Sequence, residues 1–111
     1  LSKYKLLKLR NAEDFSAVFN FRKRLSSSHI YFHYSPNTLS HVRVGYVIST
    51  KIEKLSVKRN YMRRLLRELL KQQLSSSLAF DIVVRVHKTF SKESFIQVEG
   101  EIKNLIKGLP A

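Results

Sequence analysis

The sequence has no cysteine, so it forms no disulfide framework, zinc knuckle or thiol nucleophile, a composition that suits a reducing compartment. Glycine is scarce. Its three occurrences, at positions 45, 100 and 108, make neither a dinucleotide-binding fingerprint nor a phosphate-binding P-loop. No apolar run reaches the roughly 18 residues of a membrane span, and no charged start leads into a hydrophobic stretch with a small-residue cleavage site. These absences lead us to expect a cytoplasmic protein with no membrane partner. Acidic residues are also few, with 8 Asp and Glu against 21 Lys and Arg, for a formal net charge of +13. Such a balance calls for a polyanionic partner.

What is present argues for a folded chain. Hydrophobic residues make up 43% of it, including 7 Phe and 5 Tyr, more than an unfolded basic tail carries. At 111 residues it has the size of one domain, 1–111, with a modest core. The charge is clustered: residues 1–24 carry a net +5 and residues 51–71 a net +6, whereas 25–50 and 72–111 carry +1 each. The two basic blocks are therefore the candidate contact surfaces, and the last forty residues read as scaffold.

Along the chain, Asn11 followed by Glu13 and Asp14 has the pattern of a capped helix start, with Phe15, Val18 and Phe19 on one face. After the basic run Arg22, Lys23 and Arg24 and the serines 26–28, residues 30–34 alternate as a strand. Ile30, Phe32 and Tyr34 point one way, Tyr31 and His33 the other. Pro36 and Asn37 mark a turn, and Val42 to Ser49 reads as a second, more buried strand. From Ser56 to Leu74 the period becomes helical. Met62, Leu65, Leu66 and Leu69 form its apolar stripe, while Arg59, Asn60, Arg63, Arg64, Arg67 and Lys71 fill a separate arc of roughly 140°. A third strand spans Phe80 to Val86, interrupted on one side by Asp81 and Arg85. A last helix is expected from about Ser91 to Gly108, with Phe95, Val98, Ile102 and Leu105 on its buried face.

No self-contained catalytic site can be assembled from these residues, and no catalytic or metal-binding residue is assigned. His29 and His33 share a strand face with no Asp or Glu nearby in sequence, and read as ordinary sheet-surface residues. Glu99 and Glu101 face different sides of their helix. The basic helix is the strongest local signal. A merely solvated face mixes Glu among its cations, whereas this one has Glu68 alone near its edge, and Arg is the residue suited to bidentate phosphate recognition. Phe15, Phe19, Phe32 and Tyr34 admit two readings: core packing, which composition favours, or a groove in which unpaired bases stack.

The run Arg43-Val44-Gly45, Ile48-Ser49, Lys51, Val57, Arg59-Asn60, Arg63-Arg64 and Arg67-Glu68 resembles the protein subunit of bacterial ribonuclease P. The similarity extends upstream through Glu13-Asp14-Phe15, Val18-Phe19 and Tyr34, covering about Arg10 to Ile106. The resemblance implies an α+β fold, a two-layer α/β sandwich in the order helix-strand-strand-(strand)-helix-strand-helix. Its sheet would be four-stranded, with a left-handed βαβ crossover. It further implies a ribonucleoprotein in which RNA is the catalyst and Mg2+, held mainly by that RNA, activates the attacking water. The partners implied are the catalytic RNA and precursor tRNA, whose 5′ leader is removed, and not DNA. Carried over by position, Lys51, Lys58, Arg59, Asn60, Arg63, Arg64 and Arg67 would contact the catalytic RNA. Phe15, Phe19, Phe32 and Tyr34 would line a cleft for the single-stranded leader, against the core reading that composition favours.

The sequence departs from the family pattern at Thr50, where a second basic residue is usual, at Ser56 for alanine, at Arg63 for lysine, and at Glu53-Lys54 for a glycine-containing turn. A different class of function is a general structured-RNA-binding or ribosome-assembly protein without a processing role. A helix-turn-helix DNA reader fits less well, because a strand rather than a helix precedes the basic helix. A membrane-surface helix is disfavoured because the apolar stripe of residues 62–69 is needed for the core.

Overall fold

The computed structural model describes residues 6–75 and 77–110. Its elements in chain order are β1 (Leu7–Lys8), α1 (Ala12–Phe21), β2 (Lys23–Ser26), β3 (Ile30–Pro36), β4 (Arg43–Val47), α2 (Ser56–Gln73), β5 (Phe80–Val86) and α3 (Phe95–Lys107). A single 3₁₀ turn at Lys92–Ser94 leads into α3, so the last helix begins slightly later than its serine start suggests. The sheet has five strands, in the order β1-β4-β5-β3-β2, rather than the four expected. The first element is accordingly a strand and not a helix. The β1 pair is parallel to β4 and only two residues long, and β2 falls on the basic run that hydropathy alternation did not mark. With Lys23, Arg24 and Ser26 on an edge strand, pairing to β3 rather than apolar content defines it.

Local chemistry explains where α1 begins and ends. The Asn11 side-chain oxygen accepts from the Asp14 amide at 2.9 Å, and Glu13 and Asp14 occupy the first turn, where the helix dipole favours acids. At the other end Arg22 adopts the left-handed conformation, φ 62°, and its amide donates to the Phe19 carbonyl. A non-glycine residue there costs about 1 kcal/mol. The reversal carries the chain directly from α1 into β2 and keeps Arg22 and Arg24 beside the helix.

Strands β4 and β5 run parallel, joined by α2, while β3 is antiparallel to β5 and β2 antiparallel to β3. Alternation divides the sheet into two unlike faces. One carries Ile30, Phe32, Val44, Ile82, Val84 and Val86 against Met62, Leu66, Leu69 and Leu70 of α2 and Val98, Ile102 and Leu105 of α3. This is the main core. On the other face Val83 meets Val18 of α1 and Leu9, with Phe15 and Val47 at the margin. α1 covers only part of that second face, and Tyr31, His33 and Arg85 lie at its margin, none of them fully buried.

Arg43 fastens α1 to this frame. Its Nε and Nη2 donate to Asp81 Oδ1 and Oδ2 at 2.9 and 2.6 Å, and its Nη1 reaches Asp14 Oδ2 of α1 at 3.3 Å. A second polar fastening ties α3 to the β2–β3 turn. Glu101 accepts from Ser27 Oγ at 2.5 Å and from the His29 amide at 2.9 Å, and lies 2.6 Å from His29 Nδ1. Expected as a sheet-surface residue, His29 is instead buried, because α3, distant in sequence, supplies its carboxylate. No helix among the described residues is long and apolar enough to cross a membrane.

Candidate functional site

The basic helix presents its cations unequally. Arg59 Nη1 donates to the carbonyls of Glu53 and Lys54, both at 2.9 Å, so this side chain closes the turn that delivers the chain into α2. That turn holds without glycine. The Ser49 carbonyl accepts from the Ile52 and Glu53 amides, Glu53 accepts from the Leu55 amide, and neither Glu53 nor Lys54 adopts positive φ. Arg63 Nη1 donates to Asn60 Oδ1 at 2.9 Å, an intrahelical contact one turn apart that restrains the guanidinium. Glu68 lies 3.7 Å from Lys71. Lys51, Lys58 and Arg64 are exposed, and neither Arg64 nor Arg67 has an acidic partner among the described residues. The α2 surface is thus a cationic face that its own protein leaves largely unneutralised.

The four aromatics expected to form one cleft do not come together. Phe15 and Phe19 belong to α1, on the second face of the sheet. Phe32 is fully buried, 0% exposed, in the core beneath α2 and α3, and is unavailable to any ligand. Tyr34 shares its face, packed edge-on to Phe80 with ring centroids 5.8 Å apart. The reason is the period of two. On β3 the residues beside α1 are Tyr31 and His33, and those one step away point through the sheet. For Phe32 and Tyr34, the core reading is the one the fold supports.

The groups that do line the second face form a connected cluster. Phe19, 36% exposed, meets the His33 ring edge-on at 4.7 Å. Tyr31 stacks on His87 at 4.1 Å, and its ring lies under two guanidinium groups, Arg24 at 4.4 Å and Arg85 at 4.8 Å. No acid pairs with Arg24 or Arg85 among the described residues. A cavity of about 420 Å³ opens between Phe19, Arg22, Arg24 and His33. Burial, then the Arg85 and Arg24 charges, hold the His33 imidazole down to about 4, so at neutral pH it is an uncharged aromatic ring among cations. Its Nε2 and the Arg85 Nε are buried without a hydrogen-bond partner. Stacking surfaces beside unpaired cations suit a flexible polyanion whose bases are accessible.

The sequence assigns Tyr31 and Arg85 no role, counts Arg24 only within a basic block and reads His33 as a sheet-surface residue, yet part of their signal is readable. Tyr31 and His33 oppose Phe32 by alternation, and Arg85 interrupts an otherwise apolar strand on the same side as Asp81. Missing was the knowledge that α1 packs on that side.

With this geometry in view, comparison with known proteins decides the family. The family model described as Ribonuclease P matches residues 4–109. The chain belongs to the ribonuclease P protein family. A ribonuclease P protein component from Azoarcus sp. is 32% identical over 103 residues, 93% of this chain and 86% of that one. One from Caldanaerobacter subterraneus is 34% identical over 108 residues, covering 96% and 91%. The solved ribonuclease P protein of Staphylococcus aureus superposes with a TM-score of 0.80, covering 93% of this chain and 94% of that one. Its identity of 23% makes it a likeness of fold. The ribonuclease P protein fold thus accommodates this chain's five-stranded sheet and three helices.

Among the described residues no three His, Asp or Glu side chains are grouped to hold a cation.

Proposed function

We propose that this protein is the protein component of a ribonuclease P ribonucleoprotein and promotes removal of the 5′ leader from precursor tRNA in the cytoplasm. The observation that carries the proposal is the pair of cationic surfaces of different character. On α2 and the turn before it, Lys51, Lys58, Asn60, Arg63, Arg64 and Arg67 offer hydrogen-bond donors with little aromatic surface, suited to the phosphate backbone of a shaped RNA. On the α1 side, Phe19, Tyr31 and His33 lie among Arg22, Arg24 and Arg85, suited to a single strand whose bases stack with little sequence preference. In this reading the first surface binds the catalytic RNA and the second the leader. Arg59 acts mainly through the turn it closes, and Phe15 packs between α1 and Gly45 of β4, outside the aromatic cluster.

In this division of labour the RNA is the catalyst and Mg2+ belongs with it. The protein binds and orients: neutral His33 contributes an aromatic surface, and the neighbouring guanidinium groups neutralise phosphate charge. Arg43, held by Asp81 and Asp14, fixes α1 against the sheet and so fixes the width of the aromatic face.

The test is cleavage of a precursor tRNA by bacterial ribonuclease P RNA at low magnesium, with this protein, without it, and with an equally basic control protein. Selective stimulation by this protein is the expected result. Equal stimulation by the control, or none, would overturn the processing role and favour a general structured-RNA-binding protein.

A further inference from the structure

We infer that the pocket between α2 and the edge of β4 is a seat for a single RNA phosphodiester, held by Tyr46 Oη, Arg63, Arg67 and Lys8. The inference rests on the RNA-binding reading above and deepens it, placing a pocket at the inner edge of the α2 arginine face, where Arg63 and Arg67 meet Tyr46 and Lys8, apart from the Tyr31 cluster. The pocket has a volume of about 210 Å³ and is lined by Lys8, Phe15, Gly45, Tyr46, Arg63 and Arg67 among others. That is smaller than the ~300–1,000 Å³ of a typical small-molecule site, and suits one group on a longer chain. It opens where β1 stops. The β1 ladder pairs with Arg43 and Val44 alone, leaving β4 from Gly45 onward without a neighbouring strand on that side.

The side chains around it are matched in sign. Three cations converge from two elements, Lys8 from β1 and Arg63 and Arg67 from α2, and no carboxylate lines the cavity. Neither Lys8 nor Arg67 has an ion-pair partner among the described residues. Tyr46 adds a hydroxyl that the fold itself does not use. Its ring packs against the main core, yet its Oη is buried and has no hydrogen-bond partner. A phenylalanine would pack the same volume without an orphan polar atom, which costs about 1–3 kcal/mol when left unsatisfied. Burial pushes the phenol well above its ordinary range, with Arg67 pulling it down and Glu68 pushing it up, so the hydroxyl stays protonated and can donate. A protonated donor flanked by guanidinium groups is complementary to a phosphate oxygen.

Position gives the seat its meaning. Phe15 lines this pocket and also flanks the second sheet face, so the seat lies where the α2 surface meets the α1 side. An RNA strand passing from one surface to the other would be gripped at this junction by one phosphate.

The experiment titrates the whole chain with a short oligouridylate while following the Arg67 side-chain Nε–H resonance, in wild type and in Tyr46→Phe. The expected result is a saturable shift at Arg67 and a dissociation constant raised about tenfold in Tyr46→Phe, the size of one hydrogen bond to a charged group. Tyr46→Phe should be at least as stable to denaturant as wild type, because it removes an unsatisfied hydroxyl. An unmoved Arg67 resonance, or equal affinities for the two proteins, would overturn the seat. Measuring Tyr46→Phe against the catalytic RNA and against precursor tRNA in the assembled enzyme then assigns the phosphate to one RNA, and a loss against neither counts against the seat. Failure of the low-magnesium cleavage assay would remove the processing role without altering the Arg67 titration. Success there with a silent Arg67 would remove the seat alone.

Discussion

Replacing Gly45 with alanine tests how α1 is held over the sheet. A Cβ at this position would lie 2.5 Å from Phe15 Cζ, 2.6 Å from Phe15 Cε1 and 3.2 Å from Leu9 Cβ. Carbon atoms in contact normally stand ~3.5–4.0 Å apart, so roughly 1 Å of overlap must be relieved. The Phe15 ring is half-buried and belongs to a helix that Arg43 ties to Asp14, so it can escape only by leaving its rotamer or by moving α1. Overpacking of this kind costs about 1–3 kcal/mol. A value near 2 kcal/mol lowers the folded-to-unfolded ratio about thirtyfold. Urea unfolding should therefore give a lower midpoint with an unchanged slope. The cause is separable by a double-mutant cycle. In a Phe15→Leu background the shorter side chain leaves room for the new methyl, and the Gly45→Ala penalty should fall below about 0.5 kcal/mol. Gly45→Ala within 0.5 kcal/mol of wild type, or an undiminished penalty in the Phe15→Leu background, would refute the close approach.

Other outcomes follow from the charged groups. Burial pushes the Glu101 carboxyl up, but hydrogen bonds from Ser27 and His29 outweigh it and hold the group below its ordinary value. Its contribution is therefore full above the ordinary carboxylate range and lost as pH falls through the lowered value; Glu101→Ala should cost about 3 kcal/mol at neutral pH, a penalty that shrinks on acidification in denaturant melts. The His33 ring should titrate by NMR near 4, from an ordinary 6.5, and Arg85→Ala should move it upward. Because this pKa is depressed, its share of stability is present above 6.5 and declines as pH falls toward 4. On α2, Arg64→Ala should reduce the salt slope of catalytic-RNA binding by about one unit with stability unchanged. Arg59→Ala should instead lower stability by about 1–2 kcal/mol, since two carbonyls lose their donor; an unchanged melt would show that Arg59 does not close the turn.

Much of the fold was legible in the chain because its signals are local. Asn11 with Glu13 and Asp14 marks the start of α1, the leucine stripe sets the buried face of α2, and the β-branched run fixes β5 over Phe80–Val86. The spacing of Arg59, Asn60, Arg63, Arg64 and Arg67 likewise sets a cationic arc on any helix, whatever packs behind it. What lay beyond local pattern was pairing. β1 and β2 are short and polar or edge-placed, so their hydrogen bonds to β4 and β3, not their hydropathy, make them strands.

The aromatic site depended on a fact no local period contains, namely which face of the sheet α1 covers. Alternation along β3 separated Phe32 and Tyr34 from Tyr31 and His33, and tertiary packing decided that the latter pair meets Phe19, Arg24 and Arg85. The same holds for Glu101, which reaches His29 across 72 positions of sequence, and for Arg59, whose guanidinium turns back on its own loop instead of outward. Sequence by itself determined the charge, the helical periods and the family likeness, because these are properties of neighbours along the chain. Tertiary structure decided which of those residues face one another, because burial and pairing are settled between elements distant in sequence.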